Sequence, residues 1–150
     1  MSQTLVSLLV HIVFSTKHRE ALITAEIEPS LYAYLGGIAR THQSRLLTAG
    51  GTANHVHLLI SLSKTIALSD LLEKIKAGSS KWIKTQGTQF RAFHWQDGYG
   101  AFSIGASQIP ALKTYIGRQK EHHVKKTFEE ELIELLTKYG IEYNDKYLWD

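Results

Sequence analysis

The segment HVHLLISL, which runs from His55 to Leu62, constrains the fold of this chain more than any other stretch. Its branched and apolar residues predict a β-strand, in which side chains point alternately to opposite faces. The even-numbered residues are all apolar, and they predict the face that packs on a core. The odd-numbered face carries His55 and His57, so the two imidazoles would lie side by side on a rigid element.

The rest of the chain alternates strand patterns with helix patterns. Strands are predicted over 5–14, over 45–49 and within 93–103, and helices over 29–42, 69–85, 108–123 and 127–139. The Gly50-Gly51 pair predicts the turn of a hairpin that leads into the histidine strand. The resulting order, β-α-β-β-α-β followed by two helices, is typical of a ferredoxin-like α+β domain with an antiparallel sheet and additional C-terminal helices.

This order predicts a single domain over residues 1–150. Helices can cover such a sheet on one face only, which leaves the other face free to bind a substrate. Since the even-numbered side chains of the histidine strand face the core, we expect the histidine pair on the open face.

Composition narrows the class of protein. The chain is 43% hydrophobic and 21% charged, as is typical of a globular domain, and it contains no cysteine. This excludes disulfides, cysteine-ligated zinc and a cysteine nucleophile. The first apolar run has about ten residues, too few to cross a bilayer, and it lacks the pattern of a signal peptide. We therefore expect a cytoplasmic protein that makes no membrane contact.

Charge is distributed unevenly along the chain. Residues 1–126 contain 15 Lys and Arg against 7 Asp and Glu, whereas residues 127–150 contain 2 against 7. A basic body followed by an acidic end is compatible with an ordinary solvated surface, and it also suits a polyanion such as nucleic acid.

Two further side chains could complete a site around the histidine pair. Tyr115 and Gln119 are four residues apart in the predicted helix 108–123, which puts them on one helix face. A phenol can act as a nucleophile, and an amide oxygen can bind a cation. Without such partners, a His-x-His pair is more often a structural, hydrogen-bonded pair than a metal site. Alternative ligands are His94, His122 and His123, while His11 in the first strand is predicted to be structural.

Several motifs of this chain together resemble a known family. GTANHVHLLIS, KAGSSKWI, FHWQDGYGAFS and YIGRQKEHH are similar to signatures of the single-tyrosine HUH transposases of bacterial and archaeal insertion sequences, which include REP-associated tyrosine transposases. The resemblance covers essentially the whole chain. It implies that His55, His57 and Gln119 bind a divalent cation, Mg²⁺ or Mn²⁺. It also implies that Tyr115 is the nucleophile. The softness of the donors alone suits manganese or zinc.

The resemblance further implies a reaction and its partners. Family members cleave and rejoin single-stranded DNA at hairpin-bearing element ends through a 5′-phosphotyrosine intermediate. They act as homodimers, in which the tyrosine helix of one subunit can serve the histidine pair of the other. A cation on the phosphate would offset charge in the transition state, and the phenol, with a usual pKa of about 10, must lose its proton. No carboxylate in the sequence stands out as the base.

Basic side chains offer candidate contacts to DNA phosphates. The candidates lie after the first strand, on or just after the second helix, and on the tyrosine helix: Lys17, Arg19, Lys76, Lys81, Lys84, Arg91 and Arg118. Two alternative functions stay open. One is a domesticated, non-cutting protein that binds DNA hairpins or RNA. The other is a metallohydrolase that uses metal-bound water and forms no covalent intermediate.

Overall fold

A four-stranded antiparallel sheet with the spatial order β2-β3-β1-β4 forms the centre of the computed structural model, which describes residues 2–150. The strands are β1 (Leu9–Ser15), β2 (Arg45–Thr52), β3 (His55–Ser61) and β4 (Gly100–Ile104). The helices are α1 (Glu28–Thr41), α2 (Leu68–Ile83), α3 (Ile109–Gly117), α4 (Gln119–His122) and α5 (Phe128–Lys138). This order and the antiparallel pairing confirm the predicted α+β fold.

The larger core lies between the sheet and helices α1 and α2. Val56, Leu58 and Ile60 of β3 are fully buried there, as the alternation in the sequence predicts. Helix α1 contributes Leu31 and Leu35 at a spacing of four residues, which places both on its inner face. This core holds the histidine strand in a fixed register, because a slip of one residue would turn its apolar side chains away from the helices.

The opposite face of the sheet is also covered, and the expectation of an open histidine face is wrong. Helix α5 packs an apolar side on β1 and β4, and α3 packs Ile116 on Leu59 of β3. Every residue from His55 to Ile60 is consequently buried. The physical reason is that α3 and α5 each have an apolar stripe, which is stable only against another apolar surface.

The Gly50-Gly51 pair does not form the hairpin turn that the sequence predicts. Both glycines lie inside β2, and the turn to β3 is formed by residues 53 and 54. A Cβ atom on Gly50 would lie 2.3 Å from the carbonyl oxygen of Ile116. The missing side chain therefore allows the backbone of α3 to approach the sheet closely, which positions the helix that carries Tyr115.

Two other predicted elements are shorter than expected. The helix predicted over 108–123 is divided into α3 and α4 at Arg118, where φ is −105° and ψ is 19°, outside the helical region. The first strand begins at Leu9 instead of Leu5, whose side chain is 82% exposed. Leu9 is where β1 first finds partners on both sides, Ser61 and Ile104, so the ladder starts there.

Within residues 2–150, no helix has both the length and the apolar character that are needed to cross a bilayer.

Candidate active site

The histidine pair lies on one face of β3, and the Nδ1 atom of each ring has a polar partner. His55 Nδ1 lies 2.8 Å from Asn54 Oδ1, and His57 Nδ1 lies 2.8 Å from Nε2 of His11. Burial, followed by the neighbouring His57, lowers the pKa of His55 to about 3, and the same causes lower the pKa of His11 to about 3. The rings of His55 and His11 are therefore neutral at pH 7, and neutral imidazole is the form that binds a metal.

The contact between His55 and Gln119 fits a cation better than a hydrogen bond. Asn54 Oδ1 only accepts, so we assign the single proton of the neutral His55 ring to Nδ1. The unprotonated Nε2 then faces Gln119 Oε1 at 2.9 Å. The orientation of this amide is set by its nitrogen, which donates to Glu131 Oε2 at 2.9 Å. Two lone pairs directed at each other repel, whereas a cation would bind both.

A carboxylate that the sequence interpretation missed, Glu131 of α5, lies at the centre of the site. Its Oε1 accepts from His57 Nε2 at 2.8 Å and from His123 Nε2 at 3.1 Å. Its Oε2 accepts from the Gln119 amide and from the hydroxyl of Tyr115. Burial opposes ionisation, but the hydrogen bonds from His123 and His57 hold the pKa of Glu131 far below its usual range. The carboxylate is therefore an anion that joins the histidines to the tyrosine.

One signal in the sequence could have revealed Glu131. The apolar stripe of α5 includes Phe128 and Leu132, and a residue three positions after Phe128 lies on the same side of a helix. Glu131 is thus a carboxylate on an otherwise apolar face. The run of three glutamates in the first turn conceals it, because acidic residues are common at helix N-termini for electrostatic reasons.

Tyr115 is half-buried and protonated. Its hydroxyl donates to Glu131 Oε2, and its ring lies edge-on to His57 with 5.7 Å between the ring centroids. Burial, and then the hydrogen bond to Glu131, raise the pKa of Tyr115 well above its usual value. A cavity of about 380 Å³ between α3 and α5 reaches this hydroxyl and is also lined by His11 and His122. The phenol therefore has a path to solvent.

Of the three alternative histidines, His123 joins the site. Its Nδ1 lies 2.7 Å from the carbonyl oxygen of Lys126, and the hydrogen bond to Glu131 raises its pKa although burial opposes this shift. His122 Nε2 is buried 3.5 Å from Glu131 Oε2 and has no hydrogen-bond partner among residues 2–150. His94 is exposed and lines other grooves, away from the pair.

Four side chains have the arrangement of a metal-binding cluster: His55, His57, His123 and Glu131. Their ligand atoms all lie within 4.8 Å of one another. Three of the four residues are buried, so few waters compete for these atoms. The donor set and the facing lone pairs at Gln119 both fit a divalent cation.

The basic side chains that the sequence singled out have different surroundings. Arg118 lines the same groove as Tyr115, together with Lys125 and Lys126. The Lys76 ammonium instead donates to the carbonyl oxygens of residues 96, 97 and 98, at 2.9, 3.2 and 2.5 Å, and burial lowers its pKa to about 8. Arg19 donates to the carbonyl oxygen of Trp149 at 3.1 Å.

The four other basic candidates are spread along the chain. Lys84 donates to the Ser80 hydroxyl at 2.9 Å, and Lys17 is half-buried in a short 3₁₀ helix. Lys81 and Arg91 are exposed, on α2 and after it. A role in binding DNA stays a prediction for all seven residues.

The sequence also matches known proteins. Residues 4–119 match the sequence model of the family described as "Transposase IS200 like". This chain belongs to the IS200-like transposase family. The ISDra2 transposase TnpA of Deinococcus radiodurans is 22% identical to this transposase over 116 residues, which are 74% of this chain and 83% of that relative. The resemblance to tyrosine transposases of insertion sequences is thereby confirmed.

Solved structures share the fold of this transposase. A putative transposase from Deinococcus radiodurans R1 aligns with a TM-score of 0.62 and 19% identity, over 79% of this chain and 98% of its own. A REP-associated tyrosine transposase bound to a REP hairpin aligns with a TM-score of 0.61 and 13% identity, over 82% of this chain and 74% of its own.

The region that matches the family, residues 4–119, contains only some of the candidate site residues. The four residues that the sequence singled out for chemistry all lie within it: His55, His57, Tyr115 and Gln119. His123 and Glu131 lie beyond residue 119, in the C-terminal segment of this transposase. All six side chains meet within one chain.

Proposed function

We propose that this transposase cleaves and rejoins single-stranded DNA at hairpin-bearing ends of a mobile element, with Tyr115 as the nucleophile. The observation that carries this proposal is the position of the Tyr115 hydroxyl. It shares the Glu131 carboxylate with His57 and Gln119, so a phosphate that contacts these residues would lie beside the phenol. Holding two reacting groups close together in this way can supply a large part of an enzyme's rate enhancement.

A divalent cation, Mg²⁺ or Mn²⁺ as the family resemblance implies, would be held by His55, His57 and Gln119. When bound, it would polarise the scissile phosphate and offset the negative charge of the transition state. The neutral state of His55 and the facing lone pairs of His55 and Gln119 support this ligand set. The fixed contact between His57 and His11 would keep the second imidazole in its orientation.

The covalent step exchanges one phosphate ester for another. The Tyr115 oxygen forms a bond to phosphorus while the bond to the neighbouring 3′ oxygen breaks, and that oxygen takes a proton and leaves as a 3′-hydroxyl. The phenolic proton passes to water, since the lowered pKa of Glu131 makes it a weak base that mainly orients the hydroxyl. A second DNA 3′-hydroxyl can reverse the step, because the phosphotyrosine retains the energy of the original ester.

The proposed DNA partner agrees with the charge of the protein. The groove at Tyr115 is rimmed by Arg118, Lys125 and Lys126, which suit a phosphate backbone. One structural neighbour was solved with a REP hairpin, and we extend a hairpin substrate to this chain on that basis. We also propose a homodimer, although each chain already contains all the residues of the site.

The proposed function is tested by trapping the covalent intermediate. The protein is incubated with a labelled single strand that contains a hairpin and its flanking sequence, and the adduct is resolved on a denaturing gel. We expect an adduct with the wild type and with Tyr34→Phe, an exposed control on α1, and none with Tyr115→Phe. An adduct that persists in Tyr115→Phe would refute the assignment. Hairpin binding without any adduct would favour a non-cutting binding protein.

A further inference from the structure

We propose that His123 and Glu131 are themselves ligands of the cation, together with His55 and His57. Beside the Gln119 oxygen, the site of this transposase would then contain three imidazoles and one carboxylate, a donor set that prefers transition-metal cations to Mg²⁺. The inference rests on the proposed function only in sharing its cation site. It requires neither DNA nor the tyrosine, and it concerns residues beyond the family match.

The distances from the Glu131 oxygen to the three imidazole nitrogens are close to those of groups that share one cation. Glu131 Oε1 lies 2.8 Å from His57 Nε2, 3.1 Å from His123 Nε2 and 3.6 Å from His55 Nε2. Two ligands at about 2.1 Å from a metal, separated by right to tetrahedral angles, are about 3.0–3.4 Å apart. The carboxylate oxygen and the three imidazole nitrogens therefore need only small adjustments to bind the same ion.

Partners on the far side of the imidazoles direct the correct nitrogen inward. The carbonyl oxygen of Lys126, which only accepts, lies 2.7 Å from His123 Nδ1, and Asn54 Oδ1 has the same relation to His55. With Nδ1 committed to these acceptors, the Nε2 atoms of both rings point towards Glu131, and a bound cation would take the place of the proton that His123 Nε2 donates to the carboxylate. Metal-binding histidines in proteins are typically oriented by such hydrogen bonds on the opposite nitrogen.

The donor set determines which cations the site would prefer. Mg²⁺ requires near-octahedral oxygen ligands and retains several waters, whereas imidazole nitrogens suit zinc, cobalt and other transition metals. The three imidazoles supply nitrogen only, and the cluster is almost entirely buried, with His123 the most exposed at 9%. A four-ligand centre would also attach α5 to β3, so a bound metal should raise the melting temperature.

The test measures metal binding by full-length, chelator-treated protein in the absence of DNA. Calorimetric titrations use Zn²⁺, Mn²⁺ and Mg²⁺, and Co²⁺ is added as a probe whose visible absorption reports nitrogen ligands. We expect one Zn²⁺ or Mn²⁺ per chain and Mg²⁺ binding at least about tenfold weaker. Glu131→Gln and His123→Asn should each weaken Zn²⁺ binding at least about 100-fold, the upper end of what loss of an outer hydrogen-bond partner costs.

Two matched controls separate ligand loss from general damage. Glu129→Gln changes a neighbouring carboxylate on α5, and His94→Asn changes an exposed histidine, so both should bind Zn²⁺ like the wild type. Circular dichroism confirms the fold of each variant. If Glu131→Gln fails to fold, the affinity and the Co²⁺ spectrum of His123→Asn decide.

The inference is overturned if Zn²⁺ binds both variants as tightly as the wild type, if Mg²⁺ binds equally well, or if no metal binds without DNA. These failures differ from failure of the proposed function. A wild type that binds Zn²⁺ as expected but never forms a DNA adduct refutes the function and leaves the metal centre. Conversely, the protein could form an adduct that depends on Tyr115 while replacement of Glu131 or His123 leaves metal binding unchanged. That result would refute the four-ligand centre and leave the proposed function.

Discussion

The Glu131 carboxylate accepts a hydrogen bond from the Tyr115 hydroxyl, although the two residues lie on different helices and are 16 positions apart. The Glu131 carboxylate accepts hydrogen bonds from the same side chains that a DNA phosphate would contact. The stability of α5 and the environment of the nucleophile are therefore connected through one side chain. This connection makes Glu131 the residue whose replacement should have the widest consequences.

Replacement of Glu131 by Ala should destabilise the fold strongly. It leaves the buried hydrogen-bonding groups of His57, Gln119 and Tyr115 without their shared acceptor. Removing one partner from a buried charged network costs about 3–5 kcal/mol. Urea denaturation of the metal-free protein measures this change, with Glu129→Ala as the partly exposed control on the same helix, expected to cost less than about 1 kcal/mol. Equal effects of the two replacements would contradict a central role for Glu131.

Replacement of Gly50 by Ala should displace α3 and reduce DNA cleavage. The added Cβ would lie 2.3 Å from the carbonyl oxygen of Ile116, a backbone atom that cannot yield without moving the helix that carries Tyr115. Overpacking of this kind costs about 1–3 kcal/mol. We expect a lower melting temperature and a smaller yield of the DNA adduct.

A second glycine provides the control for Gly50. Gly37 lies in α1, and apart from its chain neighbours and the backbone of its own helix, no atom of residues 2–150 comes within 4 Å of its added Cβ. Gly37→Ala should therefore stabilise the protein by about 0.5–1 kcal/mol through helix propensity, and adduct formation should not change. If Gly37→Ala is destabilised, or if Gly50→Ala keeps the wild-type melting temperature and adduct yield, the close contact between Gly50 and α3 does not determine the position of Tyr115.

Lys76 should make the free energy of unfolding rise with pH above neutrality. Burial lowers its pKa in the folded protein from 10.5 to about 8, so between these values the unfolded chain binds more protons. Stability therefore increases as the pH rises from about 8 towards 10, by less than about 1.4 kcal/mol per pH unit because the side chain is only partly buried. Urea denaturation at several pH values should show this rise in the wild type and in Lys81→Met, an exposed control on α2, but not in Lys76→Met.

Replacement of Arg118 by Ala should weaken DNA binding without affecting the fold. Its exposed ion pair with Glu121 contributes little stability, and the side chain rims the groove at Tyr115. We expect the slope of log affinity against log salt to become shallower by about 1, measured by fluorescence anisotropy on a labelled hairpin strand. Arg40→Ala, an exposed replacement on α1, should retain the wild-type slope. An unchanged slope in Arg118→Ala would exclude this residue as a phosphate contact.

Local sequence patterns predicted the elements and their order well, because these depend on spacing. The alternation of apolar residues from Val56 to Ile60 identified the core face of β3, and the four-residue spacing placed Tyr115 near Gln119. Patterns failed where a distant element decides the outcome. The Gly50-Gly51 pair is typical of a turn, but Gly50 lies within β2, where the backbone of Ile116 packs against it.

The sequence by itself determined the ferredoxin-like order, the shared face of His55 and His57, and the membership of the family. Each of these follows from residue identity and local periodicity. Only the tertiary structure decided that the histidine face is covered and that Glu131 and His123 enter the site. Helix α5 is placed by burial of its apolar stripe against β1 and β4, a long-range packing event that carries one carboxylate into the centre of the histidine cluster. No local pattern of spacing contains that information.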